Sequence, residues 1–306
     1  MAAVIICFHR MSMRRRRFLV KGPEALWYHA PMEGHRIARR EAGFIVYPVI
    51  SRRSGGLSVG INLFPDRKVC SFDCPYCEVF PFESDHSFTV GAMERELRLE
   101  LADAAEDGFE VKDLCFSGNG EPTLSPDFFP ALEAATRVRD VSVPGASLVL
   151  ITNGTTLLDP GIERGLRLAA SGGGQRLDIW LKLDAGTEAW YRRIDRASVP
   201  FAALMDAFGR FAATAPFTLQ TMVCAVGGEA PPAAEAEALE ATVLRLCAGG
   251  GGRPNVRRVQ IYGKARSAPE DPLAEPLAPA FLEARAASLR EALRRAGYDV
   301  PVSVFP

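Results

Sequence analysis

The sequence predicts an α/β fold: an open (β/α)6 partial TIM barrel, with parallel strands inside and helices outside. Three observations carry that expectation. Strand-like and helix-like segments alternate from about residue 45, six such units follow without an obvious break, and the strand segments are polar on one face only. Strands alternating with helices make βαβ units and a parallel sheet. Of the 306 residues 48% are hydrophobic and 24% charged, which excludes collagen, coiled coil and wholesale disorder. A doubly wound sheet is the alternative arrangement of the same units.

Residues 1–44 carry many arginines, Arg14 to Arg17 among them, with little periodicity. They read as a basic N-terminal arm or extension. Residues 45–306 then form the partial barrel with a C-terminal helix and strand. Strands are expected over 57–63, 111–117, 146–152, 177–183, 217–225 and 256–262. Helices are expected over 91–107, 126–139, 161–170, 187–195, 201–214, 232–247 and 278–296. Ser125 before Pro126 reads as an N-cap with proline at the first helical position, and Gly108 as a C-terminal stop. Gly/Pro-rich punctuation at 171–174, 227–232, 249–254 and 269–279 falls between elements.

Adjacent strand side chains point to opposite faces. In the fourth strand Asp178, Trp180, Lys182 and Asp184 oppose Leu177, Ile179, Leu181 and Leu183. The sixth opposes Arg258, Gln260, Tyr262 and Lys264 to Val259 and Ile261. Ser58, Gly60 and Asn62 share the polar phase of the first, Asp113, Cys115 and Ser117 that of the second, and Thr218, Gln220, Met222 and Cys224 that of the fifth. Strands covered on both faces read as continuous apolar runs. The polar face therefore lines the interior, and charges there are expected to need solvent. An antiparallel sheet with one wet face is the competing reading, against which the intervening helices argue.

Thirty-six basic against thirty-seven acidic side chains give a net charge of −1, so no global field draws nucleic acid or anionic membrane. No apolar run approaches the ~18–20 residues that span a bilayer. The apolar start precedes the arginine run, the reverse of a secretory signal. The expectation is a cytoplasmic protein without membrane contact. Three of its seven cysteines crowd into eight residues, which in a reducing compartment points to metal ligation.

Those three, Cys70, Cys74 and Cys77, form a C-x3-C-x2-C loop after the first parallel strand. That is the end of the strands where barrel chemistry is found. Three soft thiolates suit an iron–sulfur cluster, and a four-iron cluster would keep one iron without a protein ligand. A structural zinc site is the other reading; it wants a fourth ligand, from His86 or a distant cysteine.

With Tyr76 directly before Cys77, the loop resembles the signature of the radical S-adenosylmethionine (SAM) superfamily. Ser117-Gly118-Asn119-Gly120-Glu121-Pro122-Thr123-Leu124 is similar to the Gly-Gly-Glu segment that holds the SAM amine, with Asn119 where the first glycine is usual. Ile151-Thr152-Asn153-Gly154 and Trp180-Leu181-Lys182-Leu183-Asp184 match other segments of that fold. Pro48 to Arg53, Gly60-Ile61-Asn62 and Gln260-Ile261-Tyr262 look like the subgroup placed with wyosine-type tRNA-modification enzymes, of mostly unassigned substrate. The resemblance covers about 46–266, and no part of it is specific for a substrate.

The resemblance implies one 4Fe–4S cluster on Cys70, Cys74 and Cys77, with SAM on the open iron. Reductive cleavage would give a 5′-deoxyadenosyl radical that abstracts hydrogen from an unidentified substrate, a modified tRNA nucleoside being one candidate. A low-potential flavodoxin- or ferredoxin-type donor would supply the electron. Asn119 and Gly120 would meet SAM through the backbone. Glu121 would take its amine, or is a helix N-terminal acid. Lys182 would take its carboxylate or ribose, or pairs internally with Asp178 or Asp184. Asn153 and Asp184 would contact ribose or substrate, and Tyr76 packs near the adenine or shields the cluster. Cys115 and Cys224 are either hydrogen donors or small core hydrophobes. Gln220, Arg258, Tyr262, Lys264 and Arg266 form the substrate-facing group, in which Arg258 and Arg266 bind phosphate or carboxylate or are satisfied ion pairs. No residue is assigned as catalytic. A glycyl-radical-enzyme activase and a non-enzymatic zinc-binding module are the alternatives.

Overall fold

The computed structural model describes residues 43–172, 177–251 and 253–306; the arm expected over 1–44 lies outside them, apart from Gly43 and Phe44. Strand β1 (Val46–Ser51) pairs antiparallel with β2 (Gly56–Ile61). From β2 the sheet runs in parallel through β3 (Val111–Phe116), β4 (Ser147–Thr152), β5 (Leu177–Lys182), β6 (Phe217–Val226) and β7 (Val256–Gly263) to β9 (Val302–Phe305). The short β8 (Ala274–Pro276) pairs antiparallel with the end of β6.

The parallel strands lie in the sheet in chain order and never reverse, which makes a barrel wall rather than the doubly wound alternative. Curling is visible directly. Arg52, in the β1–β2 turn, donates to the main-chain oxygen of Pro306, just beyond β9. A flat sheet would hold those edges roughly 34 Å apart, at ~4.8 Å per strand pair.

Helix α1 (Val90–Glu106) follows β2, α2 (Phe128–Ser142) follows β3, and α3 (Pro160–Ser171) follows β4. α4 (Glu188–Ile194) and α5 (Phe201–Thr214) follow β5, α6 (Ala233–Ala248) follows β6, and α7 (Pro279–Arg295) precedes β9. Local sequence sets their ends. Thr89 accepts from Ala92 N, Asp159 from Gly161 N and Ile162 N, and Thr187 from Trp190 N, each satisfying donors that a first turn leaves free. The aliphatic strand faces sit beneath the helices. Leu114, Phe116, Leu148, Leu150, Ile179, Leu181 and Leu219 are all essentially buried, worth ~1.5–3 kcal/mol for each side chain. Among the described residues no helix is long and apolar enough to cross a membrane.

The opposite faces line the interior, as the alternation predicts. Expected solvent is largely replaced there by protein partners. Arg258 meets Asp178 at 2.5 Å, Trp180 Nε1 donates to Asp178 at 2.8 Å, and Gln220 donates to Gln260 at 2.7 Å. Ser58 donates to Asp113, and Tyr47 on β1 is hydrogen-bonded to Ser117 at 2.9 Å.

Two local expectations need correction. The helix expected from Pro126 begins at Phe128. A 3-10 turn, Pro122–Leu124, precedes it with Glu121 as its N-cap, so Ser125 ends that turn instead of starting the helix. β1 was hidden by Pro48, which a central strand would exclude but an edge strand tolerates.

Candidate active site

The loops after β2, β3, β4 and β5 converge at the C-terminal mouth of the sheet. The cysteine loop is tied there by backbone. Val69 N donates to Asn119 O at 3.0 Å and Glu121 N to Val69 O at 2.8 Å, so the loop continues the sheet as one extra parallel bridge. Gly120 makes this approach possible. Its φ is +151°, and a Cβ there would lie 1.8 Å from the Val69 oxygen. Asn119 is held in turn by Asn62, whose Oδ1 accepts its N–H at 3.1 Å, and by Phe64 O, which accepts from its Nδ2 at 3.1 Å.

Glu121 is buried, and its carboxylate is nearly saturated. One oxygen accepts from Thr123 N at 3.1 Å, Thr123 Oγ1 at 2.6 Å and Thr152 Oγ1 at 2.8 Å; the other accepts from Asn153 N at 2.7 Å. Burial raises its pKa against the pull of these bonds. Asn153 carries the network to the cysteines: its Nδ2 lies 3.7 Å from Cys70 Sγ and 3.0 Å from Ser71 Oγ. Ser71 is also hydrogen-bonded to Thr155 at 2.6 Å.

All three loop cysteines are free and half-buried. Burial pushes the Cys70 thiol up to about 11. Lys68 lies against Cys77 and Cys70; burial opposes its charge, but the sulfurs outweigh burial and raise its pKa. Cys74 turns the other way, its Sγ 3.9 Å from Asp195 Oδ1. Burial and the neighbouring Asp184 push the Asp195 carboxyl well above the usual range. Among the described residues no three His, Cys, Asp or Glu side chains converge on a metal position. In donor kind the loop fits an iron–sulfur cluster: three free thiols within eight residues, with a cation between two of them.

Beneath the loop lies a second group. Lys182 Nζ meets Asp184 at 3.0 Å and the Tyr262 hydroxyl at 2.5 Å, and stands over the rings of Tyr76 and Tyr262. Burial opposes its charge, yet Asp184 and Tyr262 raise its pKa well above the ordinary value. Tyr76 donates to Asp184, which also accepts from Met222 N at 2.8 Å. The internal-pair alternative for Lys182 is thus the arrangement present, with Asp184 as the partner.

The residues expected to face substrate divide. Gln220 and Tyr262 reach the interior beside Lys182, and Arg258 lies below them on Asp178. Arg266 crosses to Glu78, directly after Cys77, at 2.5 Å. Lys264 turns away to Asp271 at 2.7 Å. The segment from Lys264 to Leu273 straps the mouth, because Glu270 also takes Arg196 at 2.7 and 2.8 Å. Of the two inward cysteines, Cys115 packs with Val149 and Trp180, and Cys224 belongs to the main core.

Three residues were not singled out from the sequence. Lys68 is betrayed only by its place two residues before Cys70. Asp195 lies 121 positions from Cys74 and gives no local signal. Arg53 belongs to the Pro48–Arg53 segment, which gives it no role by itself; its guanidinium lies 4.9 Å from the centre of Tyr262 and 5.8 Å from that of Trp180.

No family model matches the chain. A UPF0026 protein of Helicobacter pylori is 26% identical over 137 residues, 43% of this chain and 41% of that protein. A UPF0026 protein of Synechocystis is 28% identical over 162 residues, 52% of this chain and 54% of that protein. The chain therefore spans about half the length of these curated relatives. In fold it is similar to a radical SAM methyltransferase from Sphaerobacter thermophilus, with a TM-score of 0.58 and 17% identity, over 85% of this chain and 68% of that one. Streptococcus suis SuiB also gives a TM-score of 0.58, at 12% identity, over 92% of this chain and 57% of that one.

Proposed function

We propose that the chain is a radical SAM enzyme working through one 4Fe–4S cluster held by Cys70, Cys74 and Cys77. The observation that carries this reading is the position of a C-x3-C-x2-C loop, bridged by backbone to Asn119–Glu121 above the C-terminal ends of a curled parallel sheet. Barrel chemistry resides at that end. The shared fold with a radical SAM methyltransferase supports it. When bound, the cluster and SAM supply one-electron chemistry leading to hydrogen abstraction from substrate.

The chain's own residues orient and screen. Lys68 offsets the negative charge of Cys70 and Cys77 as thiolates. Asn153 fixes Cys70 from the side, and Glu121 fixes Asn153 through its main chain. Lys182 offers an ammonium to a carboxylate, in competition with Asp184. Phe72, edge-on to Tyr191 at 5.9 Å, helps keep water from the loop. A flavodoxin- or ferredoxin-type donor, a cytoplasmic location and a tRNA nucleoside substrate of the wyosine kind are proposed on the sequence resemblance alone.

Anaerobic reconstitution tests the reading: about four irons per chain are expected for one such cluster, with 5′-deoxyadenosine formed on reduction with SAM. Replacing Cys70, Cys74 and Cys77 together by alanine should abolish both. Unchanged iron in that variant overturns the reading, as does stoichiometric zinc without broad visible absorbance.

A further inference from the structure

We propose that Arg53 and Arg258 form a seat for an oxyanion, a phosphoryl or carboxylate group of the substrate, inside the barrel below the cysteine loop. This rests on the reading of the interior as the substrate chamber. Both guanidinium groups lie against one indole, Arg53 at 5.8 Å and Arg258 at 5.5 Å from the centre of Trp180. Asp178 answers the charge of Arg258, which leaves Arg53, among the described residues, as the guanidinium on this ring without a carboxylate in ion-pair contact.

Arg258 has a carboxylate, Asp178, on one terminal nitrogen; its buried Nε has no partner. Arg53 has none. Among the described residues its only hydrogen bond goes to the Gln220 side-chain oxygen, at a long 3.2 Å, and no carboxylate lies within ion-pair distance. A guanidinium carries five N–H donors in a fixed fork that matches carboxylate and phosphate geometry. Asp113, another acid on this face, is held by Ser58; burial raises its pKa, while hydrogen bonds from Ser54 and Ser58 and the charge of Arg53 pull it down. Arg52 stands close enough to Arg53 and Arg266 that, after burial, their charges further lower its pKa.

Arg53 is aimed by a braced turn. Ser54 N and Ser54 Oγ both donate to Ser51 Oγ, at 3.1 and 2.9 Å, and Gly55 N donates to Ser51 O at 2.9 Å. From the seat, packed contacts run through Tyr262 and Lys182 to Tyr76, the residue before Cys77, so Arg53 is linked to the cysteine loop through these side chains.

The test uses full-length, anaerobically reconstituted protein, titrated at constant ionic strength with sodium phosphate and separately with sodium acetate. Heat and tryptophan fluorescence report binding. Saturable binding of at least one anion is expected; a preference for phosphate indicates a phosphoryl group, and one for acetate a carboxylate. Arg53→Gln should weaken binding about tenfold or more, as expected for loss of charge-assisted bonds. Arg53→Lys, which keeps the charge but not the fork, should weaken it less. Arg192→Gln, which removes an exposed pair with Glu188, should bind as the parent does. Should neither anion saturate, or should both Arg53 variants bind as the parent does, the proposal is overturned. Iron content separates this from the parent reading: anion binding in protein that takes up no iron refutes the cluster alone.

Discussion

Gly120→Ala tests whether the cysteine loop is held by the main chain of the β3–α2 connection. Two costs follow from the geometry. The φ of +151° belongs to a region open essentially to glycine, which costs another residue of order 1–3 kcal/mol. The new methyl would stand 1.8 Å from the Val69 oxygen, so the segments must part and lose the bonds Val69 N to Asn119 O and Glu121 N to Val69 O. Each such bond contributes ~0.5–1.5 kcal/mol net. The loss is expected at about 2–4 kcal/mol, because the loop can swing away before the full strain develops. At roughly 2 °C per kcal/mol for a chain of this size, calorimetry should show Tm lower by ~4–8 °C. Hydrogen exchange should quicken over residues 68–77 while β5 and β6 stay protected. Gly145→Ala is the control, since nothing lies within 4 Å of a Cβ at that position. A Tm within about 1 °C of the parent, with exchange over 68–77 unaltered, would refute the reasoning.

Other outcomes follow from the same structure. Glu121→Ala strands the donors of Thr123, Thr152 and Asn153 in a buried site, and should lower stability in urea titration by about 3 kcal/mol or more. Phe116→Ala, at a fully buried ring, should cost ~3–5 kcal/mol, whereas Val141→Ala, at a residue 78% exposed, should change stability by under ~0.5 kcal/mol. Burial pushes Tyr262 up to about 12 from an ordinary 10. The folded form keeps the proton that the unfolded form releases, so this residue's contribution is whole below pH 10 and is lost as pH rises toward 12. Tyr262→Phe should flatten that part of the alkaline stability profile.

Much of the wall was legible because alternation is local. Asp178, Trp180 and Lys182 fall on one face whatever lies beyond them, and the spacing of Cys70, Cys74 and Cys77 puts the three on one short loop. What spacing leaves out is partnership. Strand phase puts Arg258 inside but does not find Asp178, 80 residues away. Lys182 could serve a ligand or an internal acid, and only the fold shows Asp184 in place. Ser125-Pro126 has good capping chemistry, yet Glu121 caps an earlier turn because Pro122 starts one. β1 was lost because its Pro48 argues against a strand until its place at the sheet edge is known.

The strap after β7 grips the cysteine turn at two points, Glu78 just past Cys77 and, through Arg196, the neighbourhood of Asp73. Its clasps are ion pairs near the surface, where dissolved salt weakens attraction over about 8 Å at physiological strength. Salt that parts these pairs therefore frees the strap and the sulfur-bearing turn from each other together, because the same few clasps join them.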